Sequence, residues 1–184
     1  VNEISGNRVH YSINVIGGVK RDLDASMEKR AAEAMTKLRP KLDELRGIFA
    51  RDSTLSKRTK GVGKLTETQA RDWCTVGPVA RASGIWEDVR EDSFAAYGML
   101  HLRPVVRAEG DCYARTMVRM DECLRSVDLI EECLSLLREG PVAVDVKGHP
   151  TGEGLGRVEA PRGELVYYVK AVGKLQLDRI KIRT

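Results

Sequence analysis

Aromatic side chains are scarce in these 184 residues, with two Trp, five Tyr and two Phe making 5% of the chain. No aromatics interleave with the basic residues, so stacking on nucleic-acid bases has little support. The three histidines, His10, His101 and His149, are scattered and form no pair at helical metal-ligand spacing. Cys74, Cys112, Cys123 and Cys133 give no C-x-x-C pair and no zinc-type spacing. Three of them fall in one predicted helix, where a small buried thiol is the usual explanation. No run of 18 apolar residues offers a membrane-spanning helix, and no signal peptide opens the sequence. A G-x-G-x-x-G after a strand is missing too. Gly61-Val62-Gly63-Lys64-Leu65 imitates a phosphate loop only superficially, because it lacks the G-x-x-x-x-G-K-[ST] spacing and follows a charged helix. Local sequence assembles no Ser–His or Cys–His nucleophilic site. The expectation is a reduced, cytoplasmic protein with no metal site of its own.

What is present is ample for one domain. Apolar residues make up 42% and charged residues 32%, enough for a core and a solvated surface. The net charge of +4 is uneven: residues 1–60 hold 13 of the 31 Lys/Arg and 8 of the 27 Asp/Glu, leaving 18 against 19 elsewhere. A basic first third suits an acidic partner subunit, an anionic membrane surface or nucleic acid. The last of these rests on charge alone.

The periodicities predict a chain that is mainly helical. Val9, Tyr11, Ile13 and Val15 alternate as a strand over 8–15 that ends at Gly17-Gly18, a pair suited to a sharp turn. Asp22 or Asp24 caps a helix through Arg39, which Pro40 kinks or restarts before 41–50. Asp52-Ser53 opens a short helix closed by Gly61-Val62-Gly63, and Thr66 with Gln69 forms a capping box for another. Residues 77–97 read as loop-rich, and 101–106 as a short strand. The strongest signal follows, with Tyr113, Met117, Met120, Leu124, Val127, Ile130, Leu134 and Leu137 stepping by threes and fours along a helix of roughly 40 Å. Residues 148–156 read as a glycine-rich loop, and 166–169 with 177–182 as a hairpin around Gly173-Lys174.

The most informative stretch is Glu159-Ala160-Pro161-Arg162-Gly163-Glu164-Leu165. A permanently charged guanidinium between Pro and Gly is a donor fork on a restrained backbone that another group can approach closely. Taken alone, a surface Arg in a turn is the ordinary alternative. Asp111, Arg115, Arg119 and Glu122 lie at i, i+4, i+8 and i+11, close to one face of the long helix, and suit a buried ion-pair network.

Several segments in order carry a family resemblance. They are Arg8-Val9-His10 with Gly17-Gly18-Val19 and Asp22-Leu23, Gly61-Val62-Gly63, Arg81-Ala82-Ser83-Gly84-Ile85 and Asp88-Val89-Arg90. Then come Tyr97, Glu109-Gly110-Asp111, Tyr113-Ala114-Arg115, Val118-Arg119, Glu122, Ser126 and Gly140-Pro141, with the Glu159–Leu165 motif, Tyr167-Tyr168 and Ile180–Arg183 closing the set. Together they resemble the 49-kDa subunit of respiratory NADH–quinone oxidoreductase and its relatives, the large subunits of membrane-bound energy-converting nickel–iron hydrogenases. Only 17 residues, Val142–Val158, separate Pro141 from the motif, which reads E-A-P-R-G-E-L; both features resemble the hydrogenase branch more closely.

The resemblance implies an α+β fold, mainly α, with long helices and a small antiparallel sheet or hairpin, like a nickel–iron hydrogenase large subunit. Residues 1–184 are expected to be one domain, an internal fragment of such a subunit. The two C-x-x-C pairs that hold nickel and iron in the family are not in this sequence, so no cofactor is expected on the fragment itself. In the full-length family the cofactor is a nickel–iron centre or a quinone, with a 4Fe–4S cluster in the partner subunit. The implied activity is that of an oxidoreductase subunit passing electrons through partner iron–sulfur clusters to protons or quinone, the isolated fragment being inactive. By the same resemblance Arg162 is the catalytic arginine over the bimetallic centre, or near the quinone cavity. His10 and Arg81 face the partner iron–sulfur cluster or the quinone pocket. The implied partners are the iron–sulfur small subunit and, indirectly, membrane subunits, with no nucleic acid, self-association of the fragment, and a peripheral place on the cytoplasmic face of the membrane. The alternative is a non-enzymatic assembly module of such a complex.

Overall fold

A computed structural model describes residues 2–9 and 12–183. Among these the elements run α1 (Asn2–Ser5), β1 (Asn14–Val15), β2 (Gly18–Val19), α2 (Ala25–Arg51), α3 (Ser53–Thr59), α4 (Glu67–Asp72) and α5 (Gly77–Arg81). Two 3-10 turns (Val89–Asp92 and Ala95–Met99), α6 (Cys112–Leu136), β3 (Thr151–Ala160), β4 (Gly163–Val172) and β5 (Arg179–Arg183) complete the order. The mixture of helices with two small antiparallel sheets is α+β, as the sequence predicts.

The helices begin where acceptor side chains meet the first free N–H groups. Asp24 accepts from the Met27 amide to start α2, and Asp52 accepts from Leu55 to start α3. Thr66 and Gln69 form the reciprocal box that opens α4. Helix α2 runs on through Pro40 to Arg51 as one helix. The proline sits on the exposed side, and α2 buries no residue fully. It is tied to α6 by Arg39 with Asp128 and Glu131, both at 2.7 Å, and by Arg46 with Asp121.

The core lies where α4, α5 and α6 meet. Leu65, Ala70, Ala80 and Ile85 pack as one cluster, and Ala82, Ala114 and Val118 as another, with Val79 and Val105 against them. Small side chains dominate it, so the backbones come close and charged groups lie within reach of the interior. Fully burying each larger aliphatic here contributes about 1.5–3 kcal/mol.

Four expectations are corrected. The strand over 8–15 shrinks to Asn14–Val15 paired with Gly18–Val19, and His10 and Tyr11 lie outside the described residues. Residues 101–106 join no strand: the His101 amide donates to the Glu132 carboxylate and the Leu102 amide to the Leu100 carbonyl, so a side chain and a local turn take these donors. Residues 77–81 form α5 rather than loop. The glycine-rich stretch is mostly strand β3, paired with β4 from Thr151↔Val172 to Ala160↔Gly163. Gly152, Gly154 and Gly156 all fall on one face, so β4 supplies the backbone partners while the opposite face carries Glu153, Leu155 and Arg157.

Asp111 holds the start of α6 and the end of the preceding loop together. Its carboxylate accepts from the amides of Ala114 at 2.8 Å and of Gly61 at 2.7 Å. Burial alone would raise its pKa, but those amides and the Arg115 charge hold it below the usual 3.8. A carboxylate lowered in this way contributes stability that is present above pH 3.8 and is lost as pH falls through the folded value. Asp111→Ala is therefore predicted to lower stability by about 1–2 kcal/mol in urea unfolding at pH 7, and by progressively less as the solution is acidified.

Candidate functional site

Arg81, at the last position of α5, is an almost wholly enclosed cation. Its side chain is 1% exposed, and all three guanidinium nitrogens are engaged. Nε donates to Glu122 of α6 at 2.7 Å, and Nη2 donates to Glu159 of β3 at 3.0 Å. Nη1 donates to the Glu87 carbonyl at 3.0 Å and lies 3.3 Å from the Asp88 carboxylate. One planar fork thus reaches a helix, a loop and a strand, which a point-charge ammonium would not match.

A second arginine supports the first. Arg90 grips Asp88 with two nitrogens, Nε to Oδ1 at 2.8 Å and Nη2 to Oδ2 at 2.5 Å. Burial pushes the Asp88 pKa up, yet the Arg90 hydrogen bond and the charges of Arg81 and Arg90 outweigh it, and the net shift is downward. Glu159 behaves oppositely. Its burial, aided by the Asp88 charge, raises its pKa despite the Arg81 guanidinium. Its second oxygen accepts from the Val89 amide at 3.3 Å.

These contacts place the β3–β4 turn. Glu159 lies two residues before the turn formed by Pro161-Arg162, where Ala160 pairs with Gly163. On the other side of the turn, Gly163 lies against Gly77 at the start of α5. A Cβ on Gly77 would sit 2.3 Å from the Gly163 Cα, and a Cβ on Gly163 would sit 2.6 Å from Val76 Cγ2. Both have positive φ, 64° and 132°, so only glycine meets both demands. Glu164 pairs with Arg157 and, at 3.4 Å, with Arg183, which also donates to the Cys74 carbonyl at 3.1 Å. The turn is gripped on both flanks.

The expected site residues have different fates. Arg162 stands exposed at the tip of the turn, lining a shallow cavity with Ala160, Pro161 and Gly163–Leu165. Arg81 spends its donors inward, although it also lines a cavity of about 370 Å³ that reaches Pro161. His10 lies outside the described residues. Of the four residues expected to form a network along α6, only Glu122 joins the Arg81 cluster. Asp111 caps its own helix, Arg115 donates to the carbonyls of Gly110 and Gly63, and Arg119 donates to the Arg115 carbonyl. Carbonyls rather than carboxylates face those two arginines. Glu159 belongs to the sequence motif, yet nothing beside it in sequence announces its role. Its one signal is an acidic residue just before a strand-end turn.

Among the described residues no group of three or more His, Cys, Asp or Glu could hold a metal ion. The four cysteines are free and, against the expectation of buried thiols, none is fully buried; partial desolvation and the Glu122 and Glu132 charges raise the thiol pKa of Cys123 and Cys133, which disfavours the thiolate a metal needs. No described helix is long and apolar enough to cross a membrane.

Residues 1–149 match the family model for the respiratory-chain NADH dehydrogenase 49-kDa subunit. The carbon monoxide-induced hydrogenase of Rhodospirillum rubrum is 38% identical over 183 residues, covering 98% of this chain and 51% of that protein. The alpha subunit of the membrane-bound hydrogenase of Pyrococcus furiosus is 37% identical, covering 91% of this chain and 43% of its own length. An NADH-quinone oxidoreductase subunit of Salinispora tropica is also 37% identical, covering 99% and 48%. The chain thus spans about half the length of the curated relatives it matches.

Removing the central cation should expose the dependence of the three carboxylates on it. Arg81→Met is predicted to cost about 3–5 kcal/mol in urea unfolding, since it strands buried negative charge. Arg81→Lys should recover only part of that loss, because one ammonium cannot reach all three carboxylates.

Proposed function

The chain belongs to the respiratory-chain NADH dehydrogenase 49-kDa subunit family, and on that premise we propose that it is part of the large subunit of a membrane-associated oxidoreductase complex. In that setting the Pro161-Arg162 tip borders the redox pocket. The supporting observation is the exposed guanidinium of Arg162 on a turn fixed from both sides, by Glu159 on Arg81 and by Gly163 on Gly77. An exposed cation on a rigid support is preorganised to stabilise negative charge developing beside it. Its role is catalytic, over a nickel–iron centre in the hydrogenase branch or beside quinone in the other.

The residues of this chain do not fit the nickel–iron centre itself. Its thiolate ligands would have to come from other sequence, and no chemical step is assigned to the metals. What the chain supplies is the scaffold, the positioned Arg162 and the surface toward an iron–sulfur partner subunit, which passes the electrons. His10 is assigned to that partner-facing side on its sequence position. The complex would lie on the cytoplasmic face of the membrane, attached through other subunits, with a hydrogenase large-subunit-like fold.

One observation favours the hydrogenase branch: only 17 residues separate Pro141 from Glu159.

In the assembled complex, Arg162→Ala and Arg162→Lys are predicted to lower turnover by roughly 10²–10³-fold while subunit assembly stays intact. Hydrogen oxidation with an artificial dye and quinone reduction are the two assays. Unchanged turnover in both would remove the assignment.

A further inference from the structure

Five ionisable groups gather around the base of the hairpin: the guanidinium groups of Arg81 and Arg90, and the carboxylates of Asp88, Glu122 and Glu159. Their side chains are 1%, 12%, 0%, 16% and 5% exposed, in that order. Fully ionised, two cations face three anions. A buried set with one uncompensated negative charge is costly, and one bound proton neutralises it.

Position between two cavities singles out the carrier of that proton. Asp88 is held by both arginines, and Glu122 meets Arg81 Nε at 2.7 Å. Glu159 has one oxygen on Arg81 and the other on a backbone amide at 3.3 Å, so the outer oxygen takes a proton at the cost of one long hydrogen bond. Burial also pushes its pKa up. Glu159 alone among the cluster's carboxylates lines two cavities close to the turn. One, of about 120 Å³, is acidic, with Glu87, Asp88, Asp92 and Glu164 beside Arg157. The other, of about 370 Å³, reaches Pro161 and carries Tyr97, Arg119 and Cys123. Glu122 lines the second cavity only and Asp88 the first only.

We propose that Glu159 is a proton-carrying group that takes a proton from the acidic cavity and releases it into the cavity beside Pro161. The step is a proton transfer without redox change. An O–H bond forms on the Glu159 carboxylate as hydronium in the acidic cavity becomes water. That bond then breaks as the proton passes to water on the Pro161 side, and no electrons move. Protonation neutralises the cluster, and release restores its single negative charge beside Arg81. Delivery to a redox pocket rests on the function proposed for Arg162; the protonation itself does not.

Carboxyl ¹³C NMR titration of the wild-type chain, with the Glu159 side chain correlated to its own backbone, is the first test and needs no variant. Glu159 is expected to titrate above 4.5, the ordinary glutamate value. Titration at or below that value overturns the proposal. The second test uses the assembled complex and Glu159→Gln, which keeps one oxygen for Arg81, gives up only the long hydrogen bond from the Val89 amide and cannot carry the proton. Turnover should fall by about 10²-fold, with a larger solvent deuterium isotope effect, an altered pH profile and unchanged KM. A wild-type rate and isotope effect in Glu159→Gln would overturn delivery. Failure of the Arg162 substitutions to slow turnover would sink the redox reading while leaving the NMR result for Glu159 intact.

Discussion

Taking a guanidinium out of water costs several kcal/mol, and Arg81 is almost wholly out of water. It is kept there by carboxylates from three separate parts of the chain: Asp88 in the loop after α5, Glu122 on α6 and Glu159 at the end of β3. Without it Glu122 and Glu159 would lose their guanidinium partner and Asp88 would keep only Arg90. This mutual dependence is the constraint on which the rest of the structure turns. It lets a small core of alanines and a few larger aliphatics hold together helices and a hairpin that share little apolar surface. Helix α2, joined mainly through exposed ion pairs worth little individually, stands outside that arrangement.

The constraint also bears on the site proposed at the hairpin tip. A two-residue turn at the end of ten-residue strands would sway if held only by its own ladder. Glu159 anchors the incoming strand to Arg81, and the glycine contact between residues 77 and 163 brings the outgoing strand against the start of α5. Arg162 is exposed yet mounted on backbone with little freedom. The role proposed for Arg162 asks for that combination, a free charge on a fixed support.

Local features are legible in the sequence because local chemistry determines them. The capping residues Asp24, Asp52 and Thr66, the long period of α6 and the strands around Gly173 all follow from neighbours a few positions apart. Strand β3 reads as loop because glycine weakens a strand and usually marks a turn; only the pairing with β4, invisible locally, makes the alternation of Gly152, Gly154 and Gly156 meaningful. Spacing along α6 correctly groups Arg115, Arg119 and Glu122 near one face but does not say whether carbonyls or carboxylates meet them. The Arg81–Glu159 pair spans 78 residues of sequence, and no periodicity announces it.

If the Arg81 cluster binds hairpin to helices, they should open as one cooperative unit. Native-state hydrogen exchange of the wild-type chain in low denaturant measures this directly. The amide of Val89, the amides of β4 and those of the middle of α6 are predicted to converge on one opening free energy and one denaturant dependence. Exchange of Val89 and β4 through a separate opening, several kcal/mol easier than that of α6, would contradict the account.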